Sequence, residues 1–500
     1  MPKNNKRFNF TATIFIILFI TLEARIFYLQ AFKKPEILAT VKMFNHIKKI
    51  RGNICTSDGK VIASSLRNPQ PPHEQRRIYF NKEIFNHLCG FVNYENEGAA
   101  GCEYYYNKHL EGGSPQIIEV DATGKLLLSN DPAVLYAKGN DVYLTINSKI
   151  QELLYNEIKR TLKNVLAEKG YGLVIKPKTG EIVASVFVRN DPGNLLFKNP
   201  LISSPFEPGS TFKIVTVSAA LEEKLVKPDD KFFCENGLFE FSGITIRDHE
   251  PYGWLAVDEI IQHSSNIGAS KLARLLGKKK LYYYARSFGF GNYTGINLPG
   301  ETKGTLKRID SWSDTSLQCM SFGQEVSATP LQIAQAFCVI ANNGILKEPK
   351  ILSRITDPRG KVILRPETTT IRRVISKETA EKVKEMLFNV IQTGTGLPAK
   401  IPGWAICGKT GTGQKYDVTL GKYSEENFFA SLGGFLPKDN PEFVIFIGFD
   451  NPKKNHYGGM VCGDAFKNIA KKLIDRYGIP PAAEGEETAN RRIGERKNES

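Results

Sequence analysis

The chain has 500 residues, of which 41% are hydrophobic and 24% charged. This composition excludes a disordered or fibrous protein, and the length predicts roughly two to four domains of about 100–200 residues each. The formal net charge of +15 is spread along the chain, and it suits an anionic membrane surface or an acidic polymer as partner. We expect no nucleic-acid binding, because zinc-finger spacing, aromatic RNA-binding motifs and dense basic helices are absent from the sequence.

The first 33 residues have the pattern of a membrane anchor. Three basic residues in the first seven positions precede the apolar stretch FNFTATIFIILFITL, and no charge follows before Glu23. If Arg25 snorkels, the apolar segment reaches Leu29 and is long enough to span a bilayer, which takes about 20 residues. The alternative is a cleaved signal peptide, but no small-x-small cleavage site follows. We predict a cytoplasmic tip and transmembrane helix in residues 1–33, with the remaining chain extracytoplasmic, in the periplasm.

The cysteines and histidines give no sign of a metal site or cofactor. The eight cysteines show no C-x-x-C pair, so we interpret them as scattered small hydrophobic residues. Cys89 and Cys102 are the pair close enough in sequence for a disulfide, which is the alternative for these two. The sequence contains no H-E-x-x-H or comparable cluster, and we predict neither metal nor cofactor.

The pattern of the chain changes near residue 140. Residues 34–140 are polar and mixed, which predicts an extended α+β segment without a large core. Residues 141–480 begin with a strand, an amphipathic helix and a hairpin around Pro177–Gly180, continue with helices, and end with strands and a last helix. Strands at both ends with helices between them predict an α+β fold whose sheet is antiparallel and flanked by helices. Residues 481–500 are too polar to pack and are predicted to be disordered.

One apolar stretch, EPGSTFKIVTVSAAL at residues 207–221, places a lysine where a helix should begin. Lys213 follows Ser210 by three residues, nearly one helical turn, so both side chains lie on the same face. A lysine held beside a hydroxyl in an apolar wall can lose its proton and act as a base. The alternative is a lysine whose amine snorkels to solvent. The spacing also occurs by accident, as at residues 57–60.

Two further motifs accompany this S-x-x-K. Residues 264–266 form an S-x-N in a connection between predicted helices, and residues 409–411 form a K-T-G that ends a predicted strand. Each motif is weak alone, since a second K-T-G at Lys178 is only a hairpin turn. The three motifs in this order and in these contexts are the signature of penicillin-binding proteins and class A β-lactamases.

The chain resembles class B penicillin-binding proteins, particularly the cell-division type, over about residues 25 to 480. The similarity includes two pedestal motifs, RGNICTSDGKVIASS and GFVNYENEGAAGCEYYYNKHLEG, and two transpeptidase segments, FGFGNYTGINLPGETKGTL and SFGQEVSATPLQIAQAF. Thr56 and Ser57 replace the usual Asp-Arg of the first pedestal motif, which puts its local salt-bridge network in question. Glu325 replaces the second glycine of a Gly-Gln-Gly stretch.

The resemblance implies a serine β-lactamase-like transpeptidase domain on an extended α+β pedestal of the dimerisation type. It also implies a D,D-transpeptidase that cross-links peptidoglycan stem peptides through an acyl-enzyme and is inhibited by β-lactams. Ser210 is then the nucleophile, near the positive end of a helix. Lys213 is the base, because burial and the nearby charge of Lys409 disfavour its protonated form. Ser264 relays a proton to the leaving amine, and Asn266 holds Lys213 and a substrate amide.

Substrate binding is assigned by the same resemblance to the K-T-G strand. Lys409 and Thr410 are expected to bind the substrate carboxylate, and Gly411 to let the substrate lie along the strand as an added strand would. The backbone N–H groups of Ser210 and Thr412 are the expected oxyanion hole. The alternatives without a catalytic role are that Lys409 is an ordinary lysine at a strand end, that Asn266 caps a helix and that Ser264 is a loop serine.

His263, beside Ser264, suggests a Ser–His pair, but the sequence has no G-x-S-x-G elbow. We therefore expect a surface or capping histidine at this position. The S-x-N pattern fits when it begins at Ser264. When it begins at Ser265, the sequence is Ser-Asn-Ile and the motif is lost, so we predict that Ser264 supplies the catalytic hydroxyl.

Two other functions stay open. A D,D-carboxypeptidase or β-lactamase of the same fold would pass the acyl group to water, but Glu301 lacks the E-x-x-L-N setting of class A β-lactamases. A β-lactam-sensing or scaffold protein would carry the motifs as relics, against which their intact residues argue. The expected partners are stem peptides, β-lactams and the membrane. The family resemblance adds a polytopic glycosyltransferase and other division proteins.

Overall fold

The computed structural model describes residues 4–33, 50–67, 75–111, 138–191, 198–417, 419 and 421–482. Helix α1 (Asn4–Tyr28) continues as a π-helical turn (Leu29–Lys33). Its segment Ala12–Ala31 has a mean hydropathy of 2.0 and is not buried against the rest of the described chain. The predicted anchor is therefore a helix long and apolar enough to cross a membrane. All but the first two residues of the predicted tail 481–500 lie outside the described residues.

Short elements make up the pedestal and the entry to the next domain. In chain order they are β1 (Ile54–Cys55), β2 (Val61–Arg67), β3 (Gln75–Tyr79), α2 (Lys82–Cys89), α3 (Gly101–Tyr105), α4 (Asn107–Leu110) and β4 (Asp141–Leu144).

Longer elements follow. The first group is α5 (Ser148–Val165), β5 (Lys169–Ile175), β6 (Ile182–Arg189), α6 (Pro200–Ser203), a 3₁₀ turn (Gly209–Phe212), α7 (Lys213–Glu222), β7 (Lys231–Phe233), a 3₁₀ turn (Glu235–Gly237), β8 (Leu238–Phe241), β9 (Ile244–Arg247), β10 (Trp254–Ala256), α8 (Val257–Gln262) and α9 (Asn266–Ser287). The second group is β11 (Thr305–Leu306), a 3₁₀ turn (Ile309–Ser311), α10 (Ser316–Ser321), β12 (Val326–Ser327), α11 (Pro330–Ala341), β13 (Ile345–Lys347), β14 (Leu352–Thr356), β15 (Val362–Leu364), β16 (Thr370–Arg373), α12 (Lys377–Gln392), a 3₁₀ turn (Leu397–Ala399), β17 (Cys407–Asp417), β18 (Lys422–Leu436), β19 (Phe443–Asp450) and α13 (Gly458–Tyr477).

Five antiparallel strands form the central sheet in the order β17-β18-β19-β5-β6. The predicted hairpin of β5 and β6 joins the C-terminal strands through β19, where Val444 lies opposite Ile175. Strand β19 is buried along its whole length, which explains why its sequence, FVIFIGFD, is apolar without alternation. The predicted sheet built from N-terminal and C-terminal segments is confirmed.

Helices cover both faces of this sheet. On one face, helix α5 buries Ile150, Leu154 and Ile158, which succeed one another at four-residue spacing, in a cluster shared with α13. The Asn147 side chain begins α5 by accepting hydrogen bonds from two backbone N–H groups of the first turn. Helices α7 and α11 belong to the apolar cluster of the other face. The predicted α+β architecture, a sheet flanked by helices, is confirmed.

A second sheet crosses the predicted domain boundary at residue 140. Its strand order is β15-β14-β4-β1-β2-β3. Val142 of β4 lies opposite Ile54 of β1 in a parallel pair and opposite Ile355 of β14 in an antiparallel pair. The pedestal sheet thus takes three strands from sequence after residue 140, and the assignment of 34–140 as a separate domain stays a prediction.

A buried ion cluster holds the pedestal together. The Glu103 carboxylate lies between two guanidinium groups, with the Nε atoms of Arg51 and Arg77 each 2.6 Å from one of its oxygens. Arg51 also donates to Asn107 Oδ1 at 2.6 Å, and Arg77 donates to the Gly52 carbonyl oxygen at 2.7 Å. All three charged side chains are almost completely buried, and these hydrogen bonds replace most of the lost water, with Arg77 Nη2 left without a partner among the described residues.

The departure from the family pattern at residues 56 and 57 leaves this cluster intact. The Thr56 hydroxyl accepts from Lys60 N at 3.0 Å and closes the turn between these residues. The Ser57 hydroxyl donates to the Ile146 carbonyl oxygen at 3.0 Å. A salt-bridge network therefore exists in the pedestal without a charged pair at these two positions.

All eight cysteines have free thiols, and seven of them are buried. The Cys89–Cys102 disulfide is therefore not formed, as the preferred interpretation predicted. Burial raises the pKa of both thiols well above the usual value, which makes them unreactive at neutral pH.

Candidate active site

Ser210 lies where the chain enters helix α7. The 3₁₀ turn that contains it runs directly into the helix, so the half-buried serine is close to the positive end of the helix dipole. Gly209 has a φ of +55°, and a Cβ at this position would lie 2.9 Å from the Thr412 carbonyl oxygen. Only glycine allows this conformation and this approach, and the result is that Ser210 faces strand β17.

The Lys213 side chain is fully buried, and its Nζ lies 3.0 Å from Ser210 Oγ. The same Nζ is 2.7 Å from Asn266 Oδ1 and 3.2 Å from Ser264 Oγ, and it also donates to the Ser264 carbonyl oxygen. Burial lowers the pKa of Lys213 to about 7, against a smaller opposing effect of the Asp248 charge. The structure does not place this amine in solvent. An amine that is partly unprotonated at neutral pH can accept the Ser210 proton.

The S-x-N motif forms the connection between α8 and α9, as predicted. Ser264 has a φ of +63°, a conformation that costs energy for a residue with a side chain and is found at functional sites. This conformation turns both its carbonyl and hydroxyl oxygens to Lys213. Asn266 begins α9 and donates from Nδ2 to the Arg247 carbonyl oxygen at 2.8 Å. Its Oδ1 therefore faces the Lys213 amine.

Lys409 reaches the same hydroxyl from strand β17. It is fully buried, and its Nζ lies 2.9 Å from Ser264 Oγ and 3.2 Å from the Thr410 carbonyl oxygen. Ser264 Oγ is thus placed between two amines and can pass a proton along this line. Burial, and then repulsion from the Lys213 charge, lowers the pKa of Lys409. A carboxylate bound beside Lys409 would favour its protonated form again.

Two threonines fix strand β17 to its neighbours. Thr410 Oγ1 lies 2.7 Å from Thr395 Oγ1, and Thr412 Oγ1 accepts from Gly458 N at 3.1 Å. The backbone of Thr412 adjoins the turn that carries Ser210. This proximity is what the predicted oxyanion hole requires, and the assignment of the two N–H groups stays a prediction.

Gly411 lies between these threonines at a very close contact. A Cβ there would be 2.5 Å from Ser431 Oγ and 2.9 Å from the Pro208 carbonyl oxygen. Close packing of β17 against the nucleophile's turn therefore requires a glycine at this position, independently of any role in substrate approach.

His263 is half-buried at the end of α8, with its ring 5.4 Å from that of Tyr252 and its backbone N–H bonded to the Glu259 carbonyl oxygen. This agrees with the predicted capping histidine. Within the described ranges, no group of three or more His, Cys, Asp or Glu side chains is arranged to hold a metal ion.

Sequence reasoning missed Glu207, which precedes the nucleophile by three residues. Its Oε1 accepts from Glu325 N at 3.0 Å and from the Tyr423 hydroxyl at 3.1 Å, and its buried Oε2 has no partner among the described residues. Burial raises the pKa of Glu207 to about 7 despite these bonds, and the Glu325 charge adds to the effect. Glu325 has a φ of +56°, so it keeps a backbone conformation suited to the usual glycine.

Replacement of Glu207 by glutamine is expected to stabilise the fold at high pH. Because the folded-state pKa is raised to about 7, the wild type is stabilised by protonation below the unfolded-state pKa and loses this as the pH rises through about 7. Glutamine removes the buried charge, so the variant should gain about 1–3 kcal/mol at pH 8.5 and much less at pH 5. Thermal unfolding at both pH values measures the difference, with the exposed Glu378→Gln as control. An equal change at both pH values would contradict the prediction.

Comparison with protein families supplies the deciding observation. Residues 170–471 match the penicillin-binding protein transpeptidase domain. The chain belongs to the penicillin-binding protein transpeptidase family. Residues 51–133 of this penicillin-binding protein match the dimerisation domain of penicillin-binding protein A. The predicted family is confirmed.

Individual relatives agree with this assignment. The penicillin-binding protein is 32% identical to stage V sporulation protein D of Bacillus subtilis over 464 residues, which are 88% of this chain and 72% of that protein. It is 30% identical over 414 residues to the probable peptidoglycan D,D-transpeptidase PenA of Neisseria flavescens, covering 80% of this chain and 100% of PenA. Apo penicillin-binding protein 3 of Mycobacterium tuberculosis superposes with a TM-score of 0.78 at 30% identity, over 87% of this chain and 98% of that one. That protein has also been solved with aztreonam and with ampicillin.

Proposed function

We propose that this penicillin-binding protein is a peptidoglycan D,D-transpeptidase that forms an acyl-enzyme on Ser210 and is inhibited by β-lactams. The observation that carries the proposal is the buried Lys213 amine, 3.0 Å from Ser210 Oγ. The activity named for the Neisseria relative and the β-lactam complexes of the Mycobacterium protein support it.

In the proposed acylation step, Ser210, Lys213 and Ser264 act in turn. Ser210 Oγ attacks the carbonyl carbon of the penultimate D-Ala of the donor stem while its proton passes to Lys213 Nζ. The N–H groups of Ser210 and Thr412 stabilise the oxyanion. The C–N bond then breaks, and Ser264 Oγ passes the proton to the amine of the leaving D-Ala. Lys409 holds the terminal carboxylate, with the Thr410 hydroxyl beside it.

Transfer to the acceptor reverses these proton movements. The amine of a second stem peptide attacks the ester carbonyl carbon, the new amide bond forms as the ester bond to Ser210 Oγ breaks, and the proton lost by the amine reaches Ser210 Oγ through Lys213. Asn266 holds the Lys213 amine in place and offers its amide group to the donor peptide. The products are a cross-linked peptide and the free enzyme.

Water in place of the acceptor amine would make the protein a D,D-carboxypeptidase or a β-lactamase. A class A β-lactamase needs a glutamate that activates this water, and the nearest candidate in sequence, Glu301, instead accepts from Thr294 N at 2.7 Å and closes a loop. A labelled penicillin should therefore remain bound for a long time. Rapid release of the label would support the hydrolase.

Ser210→Ala is expected to abolish covalent labelling by a fluorescent penicillin, because it removes the hydroxyl at the start of helix α7 that lies 3.0 Å from Lys213 Nζ. Ser57→Ala, at the other S-x-x-K of the chain, is the matched control and should label like the wild type. Mass spectrometry of the labelled peptide checks the position. Labelling of Ser210→Ala at the wild-type rate would contradict the proposal. Restoration of cross-linking by Ser210→Ala in depleted cells would instead support a scaffold.

We also propose an extracytoplasmic catalytic domain and a role in septal wall synthesis. Lys3, Lys6 and Arg7 precede the apolar segment and favour a cytoplasmic N-terminus. The similarity to class B proteins of the division type supports a polytopic glycosyltransferase and other division proteins as partners. Localisation of a tagged copy and its depletion phenotype test the role. Filamentous cells support division, and round cells support elongation.

A further inference from the structure

Asp248 lies directly after strand β9 and is bonded to the start of helix α9. Its Oδ2 accepts from Ser265 Oγ at 2.6 Å, and its Oδ1 accepts from the backbone N–H groups of Asn266 and Ile267 at 2.5 and 3.1 Å. A carboxylate is favourable at the first turn of a helix, where backbone N–H groups lack partners within the helix. Donors from three consecutive residues thus fix the S-x-N connection to one carboxylate.

Asp248 acts on the proposed catalytic base, Lys213, through Asn266. The backbone N–H of Asn266 donates to Asp248, and its Nδ2 donates to the Arg247 carbonyl oxygen at 2.8 Å. The remaining amide oxygen therefore has one orientation, which places it 2.7 Å from Lys213 Nζ. Ser264, whose left-handed conformation directs two oxygens to the same amine, immediately precedes the bonded residues and is held in that conformation by them.

The charge of Asp248 also acts on the base. It raises the pKa of Lys213, although burial lowers that pKa by more. The charge of Asp248 also acts on Cys234, His249 and Tyr252, and the other charges that act on these three groups are those of Lys213, Lys409, Lys271, Glu235 and Glu250. Lys271 and Glu235 form a salt bridge with each other at 2.5 Å. Of the basic groups in this set, Lys213 is the one bonded to the residue that Asp248 holds.

We propose that Asp248 is a positioning residue of the transpeptidase, which fixes the S-x-N connection against Lys213. It touches neither substrate nor reacting atoms, and it acts through Asn266. A base that is too weakly basic would accept the Ser210 proton poorly, and Asp248 offsets this effect of burial. The inference rests on the proposed role of Lys213 as base.

The pH dependence of acylation by benzylpenicillin in Asp248→Asn tests the inference. In the wild type the rate should rise with pH around a midpoint near 7, because the unprotonated amine of Lys213 is the base. Without the charge of Asp248 the protonated amine is less favoured, so the midpoint should fall by roughly 0.5–1 pH unit. The plateau rate should fall about tenfold, because Asn266 loses its fixed orientation.

Two further variants separate charge from structure. Ser265→Ala removes one hydrogen bond but keeps the charge, so it should lower the rate and leave the midpoint unchanged. Asp248→Ser is the second uncharged variant, for use if thermal unfolding shows that Asp248→Asn is not folded. The inference is overturned if the folded uncharged variant keeps the wild-type midpoint, or if Ser265→Ala shifts it equally. Failure of the proposed function is distinct, since the wild type itself would then carry no label on Ser210.

Discussion

Acylation of Ser210 by benzylpenicillin is expected to be about 10³-fold slower when Lys213 is replaced by arginine. Arginine keeps the positive charge but cannot lose a proton in a protein, so it cannot accept the Ser210 proton. In the wild type, burial lowers the pKa of Lys213 to about 7, and the acylation rate should rise as the pH increases through this value. Lys213→Arg should be slow at every pH and lack this rise.

Time courses of fluorescent-penicillin labelling between pH 5.5 and 9 measure both effects, and thermal unfolding confirms that the variant is folded. Lys60→Arg is the control, since Lys60 is an exposed lysine in the other S-x-x-K of the chain. It should keep the rate and the pH profile of the wild type. If Lys213→Arg retained the rise around pH 7 at a similar rate, another group would have to be the base.

Loss of the Glu103 carboxylate is expected to lower the free energy of unfolding by about 3–5 kcal/mol. Both Arg51 and Arg77 are buried, and each places its Nε 2.6 Å from this carboxylate. Glu103→Ala would therefore leave two guanidinium groups buried without a counter-charge. The effect should be much larger than that of any single exposed ion pair, because exposed charges remain hydrated.

Urea unfolding of Glu103→Ala measures this cost. The control is Glu378→Ala, which removes the exposed partner of Lys382 on helix α12 and should change stability little. Penicillin labelling at low urea then shows whether the catalytic site survives a weakened pedestal. If the two variants unfolded at the same urea concentration, the ion cluster would not be what holds the pedestal.

The catalytic motifs could be predicted because each one carries its own local structure. Ser210 and Lys213 are one helical turn apart, and the apolar run around them buries the lysine in any fold that buries the helix. Lys409 lies in a run that predicts a strand, but the prediction that K-T-G ends this strand was wrong, because pairing with β18 begins at Cys407 and continues to Asp417. Their convergence on Ser264 followed from the family resemblance, since no local rule brings residues 213, 264 and 409 together.

Other parts of the site depend on contacts that leave no local pattern. Asp248 lies in an ordinary polar loop, RDHEPYG, and its role is defined by donors 17 to 19 positions further along the chain. Glu207 is a charged residue before a proline, a setting typical of an exposed position, but its carboxylate accepts hydrogen bonds from Tyr423 and Glu325. The pairing of β4 with β14 was missed for the same reason, because short strands identify their partners only in three dimensions.

The shared sheet has a consequence for how the chain folds after synthesis. If the strands form in the order of synthesis, β4 pairs with β1 early, but its other edge stays unpaired until Leu352–Thr356 of β14 has been made. Helices α5 to α11 all emerge in the interval. A nascent chain interrupted there would present an uncovered strand edge, which is a template for aggregation. The pedestal sheet can therefore be completed only after the helices that carry the catalytic residues have been synthesised.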